Sequence, residues 1–348
     1  MKKLAMWPLW LLQLVTQTKS FARNPILGSV LLNRLGLHVI RLMVAHSIMR
    51  LRMVLLSRAI HPLHRKAYYR DGFILVPNFL DDDTFQALLA EVGEMDGQVR
   101  ECVQGDTLTH RIALDPAQLA GLPTCQAVLE QPGFDRLHRF AAGKNQRPVS
   151  YIQTIKNHFT DGAADPQKTL HSDTFHPTMK SWFFLDAVDE RNGPFTYVPG
   201  SHRLSLARLR WEYRKSIAVS QGGDPYSRNG SLRATLADLE AMQLPAPCAL
   251  KVPSNTLVIA NTHGFHCRGQ ATETSTRTEL WSISRSNPFN PLPGIDHPRL
   301  HAMRYALLER WREHCDRRAD ARGAKASWHV IDARNTLSTK NTRLVDER

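Results

Sequence analysis

The rhythm of apolar positions changes near residue 67. Before it, "VLLNRLGLHVIRLMVAHSIMRLRMVLLSRAI" (30–60) repeats aliphatic residues at helical spacing. Arg34, His38, Arg41 and Arg52 fall near one side and Leu, Ile, Val and Met fill much of the rest, which predicts an amphipathic helix. After it, "YYRDGFILVPNFLDDDTFQALLAEV" predicts a strand at Phe73–Val76 and a Pro-Asn turn. A helix follows, capped by Asp82 or Asp83, with Phe85, Leu88, Leu89 and Val92 on its inner face. A loop-rich stretch leads to "PVSYIQTIKNHF", which alternates as a strand does, and "SWFFLDAV" is a second strand. The turn Arg191-Asn192-Gly193-Pro194 leads into a third, "FTYVPG". Residues 201–250 read as helical and basic, broken by "QGGDPYSRNGS"; strands return at "TLVIAN" and "TELWSISR". A last helix starts near Pro298 and runs through Trp311 to about Arg318, before a polar tail. Many short strands between helices, with no βαβ alternation and no glycine-rich phosphate loop, predict an antiparallel sandwich or barrel with helical support: α+β, mainly β.

The composition is that of a globular protein, with 42% hydrophobic and 22% charged residues in 348. Five scattered cysteines, Cys102, Cys125, Cys248, Cys267 and Cys315, form no CxxC pair. They argue against a disulfide framework or structural zinc and fit a reducing, cytoplasmic compartment. Charge changes the picture more. Residues 1–70 hold 12 of the 45 Lys and Arg and no Asp or Glu, so nearly all of the +13 net charge sits there.

Three readings fit this extension. "MKKLAMWPLWLLQLVTQTKSFA" has the basic start, apolar stretch and small-x-small ending of a secretory signal, but Pro8, Gln13, Thr16 and Gln17 interrupt it. No charge-free run reaches the roughly 18 residues of a spanning helix. An acid-free amphipathic segment with Trp7 and Trp10 nearby suits an anionic membrane surface, which is the expectation taken here. The third reading is a helical subdomain that packs on the remainder with its arginines in solvent.

Candidate chemistry begins at "LHSDTFHPT". His171 and Asp173 alone mean little in a chain with 16 histidines. However, His266 follows an apolar strand in "ANTHGFHCRGQATETSTRTELWSI", and Arg277 comes 11 residues later. Two histidines and a carboxylate make the facial triad that suits non-haem Fe(II) and leaves three positions open. A nearby arginine supplies a bidentate fork for a dicarboxylate such as 2-oxoglutarate.

In these residues the chain resembles the phytanoyl-CoA dioxygenase family, from about Tyr69 to Pro288. "YYRDGFILVPNFLDDDTF" resembles the family's opening segment, and "LDAVDERNGPFTYVPGSHR" its NGP–PGSH turn. His171, Asp173, His266 and Arg277 follow in the family's order. The resemblance implies a double-stranded β-helix (jelly-roll, cupin-like) core that uses Fe(II), 2-oxoglutarate and O2 to hydroxylate a C–H bond. His171, Asp173 and His266 would be the ligands. Arg277 and, on the preceding strand, Asn157 would hold 2-oxoglutarate. Gln153, Trp182 and Arg268 are candidates for the substrate. Because Asp173 keeps the carboxylate that halogenating relatives replace, hydroxylation is expected. The chain departs from many members in placing Cys267 and Arg268 after the distal histidine. His176, His202 and His263 read as supporting or loop residues.

The domains expected are 1–66, a basic extension; 67–290, the dioxygenase core; and 291–348, a C-terminal helix and tail. Within the core, 203–250 reads as a basic lid-like insertion carrying Arg203, Arg208, Arg210, Arg214 and Lys215. That lid suggests a small or lipid-like, anionic substrate. Aromatic residues do not interleave with the basic run, so no nucleic-acid partner is expected. Two alternatives stay open: a cupin-like metal enzyme that does not use 2-oxoglutarate, and a non-catalytic binding protein on the same fold.

Overall fold

Alternation of side chains along four neighbouring strands builds the centre of the molecule, for which a computed structural model describes residues 6–331. Lys2, Lys3 and the polar tail from 332 onward lie outside the described residues. The large sheet has the order β1-β8-β5-β10-β4-β3-β2-β11 and is antiparallel throughout. Its strands are β1 (Phe73–Val76), β2 (Val99–Gln104), β3 (Thr107–Ala113), β4 (Val149–Asn157), β5 (Met179–Phe184), β8 (Thr256–Asn261), β10 (Ser275–Ser284) and β11 (His329–Val330). A small sheet of β6 (Phe195–Tyr197), β7 (Cys248–Ala249) and β9 (His266–Arg268) has the order β7-β6-β9, and His171 bridges to its free edge.

From β4 the chain passes the small sheet's edge at His171, returns to the large sheet in β5, makes β6 and β7 in the small sheet, and then goes to β8, β9 and β10 in the large, small and large sheets, which is the winding of a double-stranded β-helix. Tyr151, Trp182, Phe184, Val258 and Trp281 of the large sheet meet Phe195 and Tyr197 of the small one in a buried interior. Trp182 stacks on Phe195 with ring centroids 4.1 Å apart. The residues between them in sequence, Ile152, Phe183, Leu257, Ile259 and Leu280, point the other way into a helical layer. Both faces of β5 and β8 are therefore apolar, which is why "TLVIAN" shows no alternation.

The helical layer comes from α1 (Trp7–Leu12), α2 (Val30–Arg34), α3 (Leu37–Leu56), α4 (Pro62–Asp71), α5 (Asp82–Glu94) and α6 (Pro132–Ala142). Asp81, one residue before the expected caps, closes the N-terminus of α5 by accepting from the Thr84 amide at 2.9 Å. Further on lie α7 (Leu206–Gln221) and α8 (Pro298–Asp320). The stretch before β4 that reads as loops holds the β2–β3 hairpin, turned at Gly105-Asp106, and short helices.

The reading that leaves the extension's arginines in solvent is corrected at two positions: α3 buries Arg41 and Arg52, together with His38, Leu42, Ala45, Met49 and Met53, whereas Arg34, Arg50 and Arg58 are exposed. Arg41 donates to the carbonyls of Leu14, Thr16 and Thr18 at 2.7, 3.2 and 3.0 Å, and lies over the Phe175 ring. Arg52 donates to the carbonyls of Asn287 and Asn290. Partners waiting inside outweigh the cost of burying these groups, and Met49 and Met53 join the main core. No independent core therefore separates 1–66 from the following residues. Arg208 of α7 is fully buried against Glu212 at 2.9 Å, His38 bonds the same carboxylate at 2.9 Å, and α7 packs on α2 and α3. Burial alone would raise the Glu212 pKa, but Arg208 and His38 bring it down to about 2.

Candidate functional site

His171 belongs to no strand, yet its backbone is held on both sides by bridges to His266 and Arg233. The His171 and His266 imidazoles thus lie side by side, with centroids 4.5 Å apart. Nδ1 of His171 donates to the Thr169 carbonyl at 2.8 Å, and Nδ1 of His266 to the Gly264 carbonyl at 2.9 Å. These bonds select the tautomer that leaves a lone pair on each Nε2. Both Nε2 atoms are buried and have no hydrogen-bond partner.

Asp173 completes the group. Its amide donates to the Thr262 carbonyl at 2.9 Å, which fixes the loop on which it sits. Oδ1 lies 3.8 Å from His171 Nε2 and 3.8 Å from His266 Nε2, while Oδ2 accepts from Lys180 Nζ at 2.7 Å. The three ligand atoms lie within 4.8 Å of one another, and among the described residues no other such group occurs. Gly264 makes the approach to His266 possible: a Cβ there would collide with the Tyr197 hydroxyl.

Electrostatics agree with this geometry. Burial pushes the His266 pKa down to about 4 and that of His171 well below its usual value, so both rings are neutral near pH 7. Burial acts to raise the Asp173 carboxyl, but Lys180 and the two imidazoles hold it well below the usual carboxylate range. Two neutral imidazole nitrogens without partners, aimed with one ionised oxygen at a common point, fit a divalent cation. The N2O donor set suits Fe(II).

The residues expected at 2-oxoglutarate lie together on β4 and β10. Arg277 Nη1 donates to the carbonyls of Asn192 (3.0 Å) and Gly193, and its Nε lies 3.2 Å from Glu279 Oε2. Asn157 Nδ2 donates to the same Asn192 carbonyl at 3.1 Å, while its Oδ1 is buried without a partner. The Asn192-Gly193-Pro194 turn thus draws Arg277 and Asn157 to one place. Burial raises the Glu279 carboxyl, and Arg277 opposes that rise.

The remaining candidates separate. Trp182 faces the interior of the β-helix. Gln153 is engaged at both ends of its amide, since its Nε2 donates to Glu279 and its Oε1 accepts from Arg111 at 2.7 Å. Arg268 is paired with the fully buried Asp165 at 2.7 Å, so its charge ties a loop down. His263 bonds the Thr174 carbonyl at 2.9 Å and meets His46 of α3 edge-on, centroids 4.4 Å apart. His176 bonds the Pro177 carbonyl at 3.0 Å, and His202 is buried.

Two lysines at the site escaped the sequence reading. Lys180 was within reach of it, because alternation along "MKSWFF" puts Lys180 on the face of Trp182 and Phe184. Lys19 was not: it arrives from the extension, where its Nζ donates to the Asp173 carbonyl. Burial lowers Lys19 to about 8, with Arg285, Lys180 and Arg233 adding to that fall and Asp173 opposing it.

The family model described as phytanoyl-CoA dioxygenase (PhyH) matches residues 68–237, a segment that contains His171 and Asp173 and ends before His266 and Arg277. The ectoine dioxygenases of Bordetella parapertussis and Bordetella bronchiseptica are each 26% identical over 217 residues, covering 57% of this chain and 69% of their own. Among solved structures, the epimerase SnoN in complex with Fe3+, alpha ketoglutarate and nogalamycin RO is similar at TM-score 0.45 and 20% identity, over 66% of this chain and 83% of that one. HygX from Streptomyces hygroscopicus with nickel, 2-oxoglutarate and hygromycin B bound is similar at TM-score 0.40 and 15% identity, over 64% of this chain and 86% of that one.

Proposed function

We propose, from the match of residues 68–237 to the phytanoyl-CoA dioxygenase (PhyH) family model, an Fe(II)- and 2-oxoglutarate-dependent dioxygenase that hydroxylates an unactivated C–H bond of a small anionic molecule. The observation that carries the reading is the pair of buried, unpartnered Nε2 atoms beside Asp173 Oδ1.

His171, Asp173 and His266 would hold the metal. When bound, Fe(II) with 2-oxoglutarate supplies oxidising power from O2, with release of succinate and CO2. The rest falls to the chain. Lys180 occupies Asp173 Oδ2 and so turns Oδ1 toward the histidines. The Thr169 and Gly264 carbonyls fix the ring tautomers. Arg277 and Asn157 orient the far carboxylate of 2-oxoglutarate from the Asn192 turn. Trp182 and Phe195 fill the interior beside them and keep water out.

An anionic substrate is supported by the surroundings of Asp173, where Lys19, Lys180, Arg233 and Arg285 gather around one carboxylate. A substrate carboxylate or phosphate balances that excess. The location proposed is the cytoplasm, at an anionic membrane surface. Free cysteines and an acid-free extension support it.

An anaerobic titration of the protein with Fe(II) and 2-oxoglutarate, read by the visible charge-transfer band of a metal-chelated 2-oxo acid, tests the chemistry. The band should vanish in His171→Ala and need at least tenfold more 2-oxoglutarate in Arg277→Ala. Bound iron without a band would point to a cupin-like enzyme that does not use 2-oxoglutarate; no bound iron would leave only a binding protein.

A further inference from the structure

Helix α3 buries a mixed stripe and exposes an aliphatic one. His38, Arg41, Leu42, Ala45, Met49, Arg52 and Met53 face the protein. On the opposite stripe Ile40, Met43, Val44, Leu51, Val54 and Leu55 are between 43% and 58% exposed, at the i, i+3, i+4 spacing of one continuous face. Only Ser47 and Arg50 interrupt that face. Leu31 of α2 and Leu35, on the turn leading into α3, are 65% and 69% exposed. A helix surrounded by water carries polar side chains on its outer stripe. Here the polar side chains cannot return to the surface, because Glu212, the carbonyls of the 14–18 segment and those of Asn287 and Asn290 hold them inside. A contiguous aliphatic strip of this kind marks an interaction surface.

Its chemistry selects the occupant. No described helix is long and apolar enough to cross a membrane, and α3 is pinned along its inner face, so it offers one side only. Exposed Arg34, Arg50 and Arg58 border the strip, and no acidic residue occurs between 1 and 70. Against a second copy, these arginines would meet like charges with no carboxylate of the extension to pair them. An anionic bilayer complements both features: acyl chains take the aliphatic side chains, and phosphate headgroups take the arginines.

We propose that the outer stripe of α3 is the face by which the enzyme lies on an anionic membrane. The inference rests on the membrane location proposed above and is independent of the reaction. It also fits the architecture, since the inner face of the same helix touches the ligand loop through His46 and His263.

The test is co-sedimentation of the full chain with phosphatidylcholine vesicles and with mixed phosphatidylcholine–phosphatidylglycerol vesicles. Leu51→Glu/Leu55→Glu is compared with the parent protein, both positions being solvent-exposed and outside the site. The parent should bind the mixed vesicles at least tenfold more strongly than neutral ones, and the variant should lose at least tenfold of that binding. Arg50→Gln/Arg58→Gln should lose only the preference for phosphatidylglycerol. Helical circular dichroism and succinate formation from 2-oxoglutarate should be the same in all three, which separates a docking defect from a folding or chemical one. Equal vesicle binding by parent and Leu51→Glu/Leu55→Glu would overturn the assignment of the face while leaving membrane location intact. No binding by the parent to either vesicle would overturn both. A parent dimer that this variant dissolves would assign the strip to a second copy instead.

Discussion

His171 and His266 are directly opposed partners across an antiparallel bridge, each amide donating to the other's carbonyl at 3.0 Å. Residues 95 positions apart in the chain thus become nearest neighbours through backbone bonds that do not depend on their side chains.

Because that bridge survives truncation of the imidazoles, His171→Ala and His266→Ala should fold and fail specifically in metal retention. Ni(II) or Fe(II) should raise the melting temperature of the parent protein, since only the folded state presents the three donors together. It should leave both variants within a degree or so of their metal-free values. An equal metal-induced rise in either variant would remove that histidine from the ligand set.

Arg277 and Glu279 are both buried, 3.2 Å apart, and should be coupled in stability. Arg277→Ala leaves a buried carboxylate without its cation and should cost about 3–5 kcal/mol in urea unfolding. Arg277→Met/Glu279→Gln should recover most of that loss while still binding 2-oxoglutarate poorly. If the double variant also regained 2-oxoglutarate affinity, Arg277 would be a structural residue and no anchor.

Removing residues 1–66 should unfold the protein or render it insoluble, because Met49, Met53 and Ile60 belong to the main core and Lys19 reaches the metal loop. Arg41→Ala is the milder probe. Loss of three charge-assisted bonds to the 14–18 segment should cost on the order of 3 kcal/mol and expose that segment to limited proteolysis. Unchanged proteolysis would mean the segment is held by other contacts.

Acid should destabilise the metal-free protein well before its carboxylates titrate. Burial lowers His138 and His202 to about 4 and His46 to about 3, from the usual 6.5. Each binds its proton later than it would in the unfolded chain as the pH falls. The unfolded state therefore carries more protons throughout that interval. Stability is complete above about 6.5 and drains away as the pH drops toward 4, by roughly a kcal/mol per pH unit for each group. Urea midpoints at pH 7.5, 6 and 5 in the presence of a chelator should fall in that order; a flat series would contradict the neutral, buried state of these rings.

Legibility in the sequence differed from element to element. β4 and β10 were readable because their sides differ: Gln153 and Asn157 alternate with Ile152 and Lys156, and Arg277 and Glu279 with Thr278 and Leu280. The β2–β3 hairpin was not, since polar residues such as Arg100, Glu101, Thr109 and His110 are paired within it and their sequence looks like loop. Residue types and order named the His-Asp-His group, but the protein partners of Gln153 and Arg268 were not legible. Their partners, Glu279 and Asp165, lie 126 and 103 positions away.

What the sequence determined by itself is whatever short-range spacing encodes: the strands of the central β-helix, the cap region of α5, the order of His171, Asp173 and His266, and the amphipathic period of α3. Tertiary structure alone decided which stripe of α3 faces inward. A helical period defines two faces but not their destination, which depends on acceptors brought from elsewhere: Glu212, and the carbonyls of Leu14, Thr16 and Thr18. Once those partners are in place, burying His38 and Arg41 costs less than leaving the acceptors unmet, and the aliphatic face is turned outward.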